Sequence, residues 1–263
     1  MENQNTRENG SVQSIVRALA LLERLGECDD GLTLKELARD VSLPVSSAHR
    51  ILTTLQRQRF VRFDAASMCW SVGVQAFVVG NTFARSRDLL SLAAPHMRRL
   101  MTATGETVNF FVLHGSEVIC MNQVQCQQAV RAISRPGGRA EMHRSAAGKA
   151  ILAHMPAEDV TALMSQTGMQ RHTQNTIVTV EALHAELAVI RQQGFSVDNE
   201  EFSIGLRCIA APIFDETGTA NAAISIAGPT SRIADSRIRN VGDLVAFCGK
   251  TVTAEFGGTE KRM

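Results

Sequence analysis

Residues Leu32–Val61 read LTLKELARDVSLPVSSAHRILTTLQRQRFV, and the folding of this run decides the organisation of the whole chain. Thr33 stands three residues before Glu36, the spacing of a reciprocal helix cap, and Leu32 and Leu37 occupy the two positions of a hydrophobic staple. A short break at Val41–Leu43 follows. Pro44 suits the first turn of the next helix, where its missing N–H costs nothing. At about 100° per residue, Val45, Ala48, Ile51, Leu52 and Leu55 fall on one side of that helix. Ser46, Ser47, Arg50, Thr53 and Arg57 fall on the other. Between Leu43 and Phe63 there are four arginines and no acidic residue.

Upstream, Val12, Ile15, Val16, Leu19, Leu22 and Leu25 recur at helical spacing and predict a first amphipathic helix. Downstream, FVRFDAASMCWSVG (Phe60–Gly73) reads as a two-stranded hairpin turning at Asp64–Ser67. Three helices and a hairpin wing are the parts of a winged helix-turn-helix, whose third helix enters the major groove of DNA. The expected DNA contacts are Thr33, Ser46, Ser47, His49, Arg50, Thr53 and Arg57. Small hydroxyls can approach backbone or base edges closely, and Arg50 can reach a phosphate or a guanine edge. His49 lies at the border of the apolar face, where packing and base contact both fit.

The bulk properties bound the rest. A chain of 263 residues has room for about two domains. With 44% hydrophobic and 20% charged residues it is too apolar to be disordered. No apolar run approaches the roughly 18 residues of a membrane span. MENQNTRENG lacks the apolar core of a signal peptide, so a cytoplasmic protein is expected. Cysteines at 28, 69, 120, 126, 208 and 248 form no C-x-x-C pair, which argues for reduced, packed thiols over a disulfide frame or zinc ribbon.

Val74 to Thr104 reads as a helical connector, and from Thr107 the pattern becomes mixed. TVNFFVLHG, EVICMNQV, IAAPIF and ANAAISIA are predicted strands. Ala146–His154, Ala157–Gln166, Val180–Gln193 and Asp235–Phe256 are predicted helices, together an α+β domain. Asp198–Glu201 are expected in a loop.

Three segments of this half look chemically pointed. In HRSAAGKAILAHM, Ser145 can cap a helix whose first turn, Ala146, Ala147 and Gly148, leaves N–H groups open to an anion; an ordinary capped helix fits equally. No P-loop is present. In FSVDNEEFSIGLRC, Asp198 and Cys208 could be a nucleophile and its partner, metal ligands, or pocket contacts. A nucleophile needs a base, and His143, His172 and His184 stand in no recognisable spacing to Cys208. A zinc site from His143, Asp198 and Cys208 lacks a closely spaced ligand pair. In AISIAGP, Ser225 can face a pocket or be satisfied in the core.

Taken together, these segments resemble the IclR family of bacterial transcriptional regulators from about Val12 to Phe256. The N-terminal part matches through LTLKELARDVSLPVSSAHRILTTLQRQRFV. The C-terminal part matches through HRSAAGKAILA, VDNEEFSIGLRCIAAPIFDETG and AAISIAGPTSR. Glu200–Glu201, Gly205, Cys208, Ala210, Pro212 and Gly218 fall in the family's spacing. Within the family, the GETVNF, GLRC and AISIAGP segments are most similar to the glyoxylate-responsive allantoin-utilisation branch.

The resemblance implies an α+β chain: a winged helix-turn-helix (12–73), a helical linker (74–104) and a GAF-like effector-binding domain (105–257). A disordered N-terminus (1–11) and a short tail (258–263) are expected at the ends. It also implies a repressor on a palindromic operator, a homodimer or homotetramer, with no catalytic residue, metal or cofactor. A small carboxylate or 2-oxo acid effector, glyoxylate or a relative, would be held by Ser145, Ala146, Ala147, Gly148, Asp198, Cys208 and Ser225. Ala227 and Ala146 stand where that branch has serine and glycine. One hydroxyl donor is therefore missing, which points to an acid with a less polar tail. The competing expectation is an enzyme acting on a small acid through Cys208.

Overall fold

The computed structural model describes residues 12–86, 89–129 and 134–260. The expected disordered segment 1–11 and residues 261–263 of the tail lie outside these. The chain divides into two compact units, Met1–Arg87 and Asp88–Met263.

The first unit comprises α1 (Gln13–Gly26), β1 (Leu32–Thr33), α2 (Leu34–Asp40), α3 (Val45–Arg57), β2 (Val61–Asp64), β3 (Cys69–Val72) and α4 (Val74–Ser86). The reciprocal cap forms: Glu36 N donates to Thr33 Oγ1 at 3.4 Å, and Thr33 N donates to Glu36 Oε2 at 2.9 Å. Pro44 stands just before α3, and its carbonyl accepts from Ser47 N and Ala48 N. Asp64 shapes the hairpin turn by accepting from Ala66 N and Ser67 Oγ. Leu21, Leu25, Leu37, Ala48, Leu52 and Trp70 form the core.

Three details differ from the sequence expectation. The wing sheet has a third strand, in the order β1-β3-β2, because Leu32 and Thr33 pair with Trp70 and Cys69. Two residues are too few to show an alternating pattern. Only the C-terminal end of the stripe read along α1 is buried: Leu25 stands in the core with Leu22 packed against it and Leu21 added from beside the stripe, while Val12, Ile15, Val16 and Leu19 are all more than half exposed. Val45, placed inward on the wheel, is 47% exposed because it stands in the first turn of α3, ahead of the core.

The second unit comprises α5 (Leu89–Thr104), β4 (Thr107–His114), β5 (Glu117–Val124), β6 (Arg139–Glu141), α6 (Ala146–Leu152), α7 (Ala157–Thr167), α8 (Val180–Gln193), β7 (Ser196–Asn199), β8 (Leu206–Phe214), β9 (Ala220–Pro229) and α9 (Asp235–Glu255). The strands form one antiparallel sheet in the order β6-β5-β4-β9-β8-β7. Successive side chains point to opposite faces of a strand, and helices cover both faces here. Val108, Phe110, Ile209 and Ile224 pack with Met97 of α5 and Val245 of α9. Phe111, Ala210 and Ala223 pack with Ile151 of α6, Val160 of α7 and Leu187 of α8. Each large apolar side chain buried this way contributes about 1.5–3 kcal/mol.

Helix α5, the second half of the stretch read as a connector, buries Leu89, Ala93, Met97 and Leu100 in this core. Strands β6 and β7 went unseen in the sequence, being only three and four residues long. Asp198 is therefore a strand residue paired across from Cys208, not a loop residue. No helix among the described residues is long and apolar enough to cross a membrane.

Replacing Thr33 by Ala removes the side-chain acceptor at the start of α2. It is expected to lower the unfolding free energy by about 1 kcal/mol, read from urea unfolding; an unchanged midpoint would show that the cap carries no stability.

Candidate effector cavity and nucleic-acid interface

On the first unit, α3 presents Ser46, His49, Arg50 and Arg57 as exposed side chains, with Ser47 and Thr53 half-buried beside them. Among the described residues no carboxylate holds Arg50 or Arg57, so their charge is available to an anionic partner. By contrast, Arg24 and Arg39 are both spent on Asp40. His49 stands edge-on to the Trp70 ring, centroids 6.5 Å apart, while remaining exposed. The Thr33 hydroxyl is committed to Glu36, and the Thr53 hydroxyl donates to His49 O at 2.8 Å.

The second unit contains a cavity of about 580 Å³ beside the first turn of α6 and the face of the sheet that α6 covers. Strand register builds its floor. Asp198, Cys208, Ala227 and Thr107 lie in one cross-strand row, and Ser196, Ala210, Ser225 and Asn109 lie in the next. Positions two apart on a strand share a face, so both rows point the same way. Ser145, Ala146, Ala147, Asp198, Cys208 and Ser225 all line this one cavity. Sequence separations of up to 80 residues, from Ser145 to Ser225, are thereby closed.

Gly148 is not on the cavity wall. A Cβ there would stand 2.4 Å from Met142 O and 2.5 Å from Met142 Cα, so the residue exists to let α6 pass the backbone of Met142. Its amide donates to Ser145 Oγ at 3.1 Å, and Ser145 Oγ in turn donates to Glu141 O at 2.8 Å. The Ser145 hydroxyl is therefore a cap, and the first-turn groups at the wall are those of Ala146 and Ala147.

Asp198 is buried, and its Oδ1 accepts from Glu201 N at 2.8 Å and Phe202 N at 3.2 Å. Burial nevertheless outweighs these donors and pushes its carboxyl up to about 6. The Cys208 thiol hydrogen-bonds to Asp198, and burial together with that carboxylate holds it well above the usual thiol range. A protonated thiol is a poor nucleophile. His143, one of the candidate bases, lies in a separate cleft against Gln170 O. Among the described residues no group of three His, Cys, Asp or Glu side chains could hold a metal ion.

Behind the wall, the fully buried Lys149 donates to Val197 O at 2.7 Å, Glu201 Oε1 at 2.5 Å and Glu186 Oε1 at 3.2 Å. Burial raises the Glu201 carboxyl to about 7 against the pull of this ammonium. Sequence reasoning missed Lys149, and it also missed Asn109 and Phe202, which line the cavity. Asn109 carried a usable signal, as a polar residue between the apolar Val108 and Phe110 in the strand TVNFFVLH.

A winged helix-turn-helix followed by a separate α+β sheet unit is the architecture of a transcriptional regulator. Residues 14–65 match the IclR helix-turn-helix domain and residues 81–254 match the C-terminal domain of the bacterial transcriptional regulator IclR. The chain belongs to the IclR family. It is 44% identical over 252 residues to the acetate operon repressor of Salmonella typhimurium, covering 95% of this chain and 92% of that one. It is 36% identical over 245 residues to the repressor AllR of Escherichia coli K12, covering 93% and 90%. The crystal structure of Thermotoga maritima IclR superposes with a TM-score of 0.75 at 26% identity, covering 94% of this chain and 100% of that one. The likeness to the allantoin branch holds at 36%, and identity to the acetate operon repressor is higher. These relatives are repressors, not enzymes, and catalysis through Cys208 is set aside with them.

The rise of the Asp198 carboxyl from 3.8 to about 6 corresponds to about 3 kcal/mol. A raised carboxyl penalises the folded state above that pH, and the penalty is relieved as pH falls through 6 toward 4. The stability of Asp198→Asn relative to the native chain is therefore expected to be higher at pH 8 than at pH 5, by about 1–3 kcal/mol. Urea unfolding at both pH values measures this; an equal difference at the two would show that the carboxyl is not raised.

Proposed function

We propose that this IclR-type repressor binds a palindromic operator as a dimer, or as two dimers joined in a tetramer, in the cytoplasm. A small carboxylic or 2-oxo acid in the cavity sets its operator affinity. The observation that carries the effector half is the convergence in one cavity of the Ala146 and Ala147 first turn, the Asp198–Cys208 pair and Ser225. Backbone N–H groups at a helix start favour a carboxylate. Asp198, with the Cys208 thiol hydrogen-bonded to it, adds a polar carboxyl to the wall beside the acid.

The volume bears on the size of the acid. A two-carbon acid has the bulk of a few water molecules, each about 30 Å³ in the liquid, against a cavity of about 580 Å³. Phe111, Phe202 and Leu206 give the remaining space an apolar wall. Both features favour an acid longer than glyoxylate, with an apolar tail. The likeness to a protein named for the acetate operon supports an effector from short-chain acid chemistry.

On the DNA side, Arg50 and Arg57 supply charge, while Ser46, Ser47, His49 and Thr53 approach the groove and Thr33 the flanking backbone. Paired recognition helices fall about one helical turn apart on the operator. An effector changes operator affinity only through its preference for one of two conformations, typically by about 1–3 kcal/mol.

Band-shift with DNA upstream of the chain's own gene, at fixed salt, tests the first half. Arg50→Ala is expected to weaken specific binding by about 1–3 kcal/mol; equal binding to unrelated DNA would sink the operator claim. Calorimetric titration with glyoxylate, pyruvate and a longer 2-oxo acid tests the second. The longest acid is expected to bind best, and no heat from any of them would end the carboxylate reading.

A further inference from the structure

We propose that Asn109 is an effector-binding residue: its side-chain amide, beside the Ser225 hydroxyl, donates to the 2-oxo oxygen of the bound acid and selects oxo acids over plain ones. This rests on the carboxylate-sensor reading above and adds to it a residue and a basis for selectivity.

The orientation of the Asn109 amide is fixed by a relay. Gln125 Nε2 donates to Gln123 Oε1 at 3.0 Å, which turns the Gln123 amide nitrogen the other way. That nitrogen donates to Ser134 O and to Asn109 Oδ1, the latter at 2.9 Å. The opposite orientation of Gln123 would set its oxygen against the Ser134 carbonyl, two acceptors facing each other. Asn109 therefore spends its oxygen on Gln123, and its Nδ2 group, with two N–H donors, is left over. Among the described residues that group has no hydrogen-bond partner.

Asn109 is 1% exposed and lines the cavity. Its register partner on β9 is Ser225, 2% exposed, also on the cavity wall, whose hydroxyl likewise forms no hydrogen bond among the described residues. Neither group is sealed from the cavity: among the described residues the one buried side-chain atom without a partner is Glu201 Oε2, so the Asn109 amide and the Ser225 hydroxyl are open to whatever fills that space. A two-proton amide donor held beside a hydroxyl that can also donate suits an oxygen that carries no proton. A ketone or aldehyde oxygen meets that description and a hydroxyl meets it poorly. With the carboxylate at Ala146 and Ala147, the Asn109–Ser225 pair takes the second oxygen.

The test is calorimetric binding of two matched pairs, pyruvate against propionate and glyoxylate against acetate, to the full-length native chain and to Asn109→Ala, Asn109→Ser and Asn109→Asp. Native protein is expected to prefer the oxo acid of each pair. Asn109→Ala should lose about tenfold or more in affinity for the oxo acid and little for its partner, and Asn109→Ser, which restores a donor, should recover part of the preference. Asn109→Asp, with the same shape and an acceptor in place of the donor, should be the weakest for oxo acids. Equal loss for both members of a pair would show a merely structural role and overturn the proposal, as would unchanged preference in Asn109→Ala. Should the alanine variant fail to fold, shown by its thermal melt, the serine and aspartate variants carry the comparison. If the native chain binds no acid at all, the sensor reading fails as well; if it binds both members of each pair equally, the sensor reading stands and the assignment of Asn109 falls.

Discussion

A lysine ammonium with no solvent contact sets the geometry of the second unit. Removing such a charge from water costs several kcal/mol unless each of its protons finds an acceptor. Lys149 finds three, on β7, on α8 and in Glu201 just beyond β7. Those three oxygens can be reached together only if α6 runs across the end of the sheet where β7 begins its loop. Gly148, the preceding residue, makes the complementary demand, because α6 must pass Met142 closer than any side chain would allow. Between them the two neighbours fix the helix, and its first turn reaches the cavity as a result.

The same ammonium disciplines the loop after β7. Glu201 is drawn inward to Lys149, and its backbone amide, with that of Phe202, closes onto Asp198. The cavity wall is thus continuous with the buried ion pair behind it. Glu201 Oε2 has no partner among the described residues, and burial lifts the carboxyl to about 7. Lys149 and the raised carboxyls of Glu201 and Asp198 thus share one buried corner, where charges act on one another more strongly than in water.

Much of the first unit was legible because its signals are local. The Thr33–Glu36 cap, the proline before α3 and the Asp64 turn each act within four residues, and sequence spacing states them directly. The third strand of the wing was not, since Leu32 and Thr33 become a strand only by meeting Trp70 and Cys69. In α1 the apolar stripe was real, but only its C-terminal end, Leu22 and Leu25, meets this unit's core together with Leu21, and Val12, Ile15, Val16 and Leu19 stay exposed. For the cavity, residue types singled out Asp198, Cys208 and Ser225 but left their roles open, and only the family resemblance joined them in one site, whereas β7 and the relay through Gln123 depend on pairings between distant strands. Lys149 was hidden for a different reason. A lysine in a helix ordinarily points to water, and nothing local announces one that does not.

The alternation of the central strands has a consequence for how the cavity is built. At 109, 111, 208, 225 and 227 side chains line the cavity, while 108, 110, 209, 224 and 226 hold the other face together against α5 and α9. Chemistry and cohesion are interleaved along the same strands, and Phe111 serves both, lining the cavity while packing with α6, α7 and α8. The pleat thus sets most of the cavity lining on one face of the strands and the apolar frame that carries it on the other.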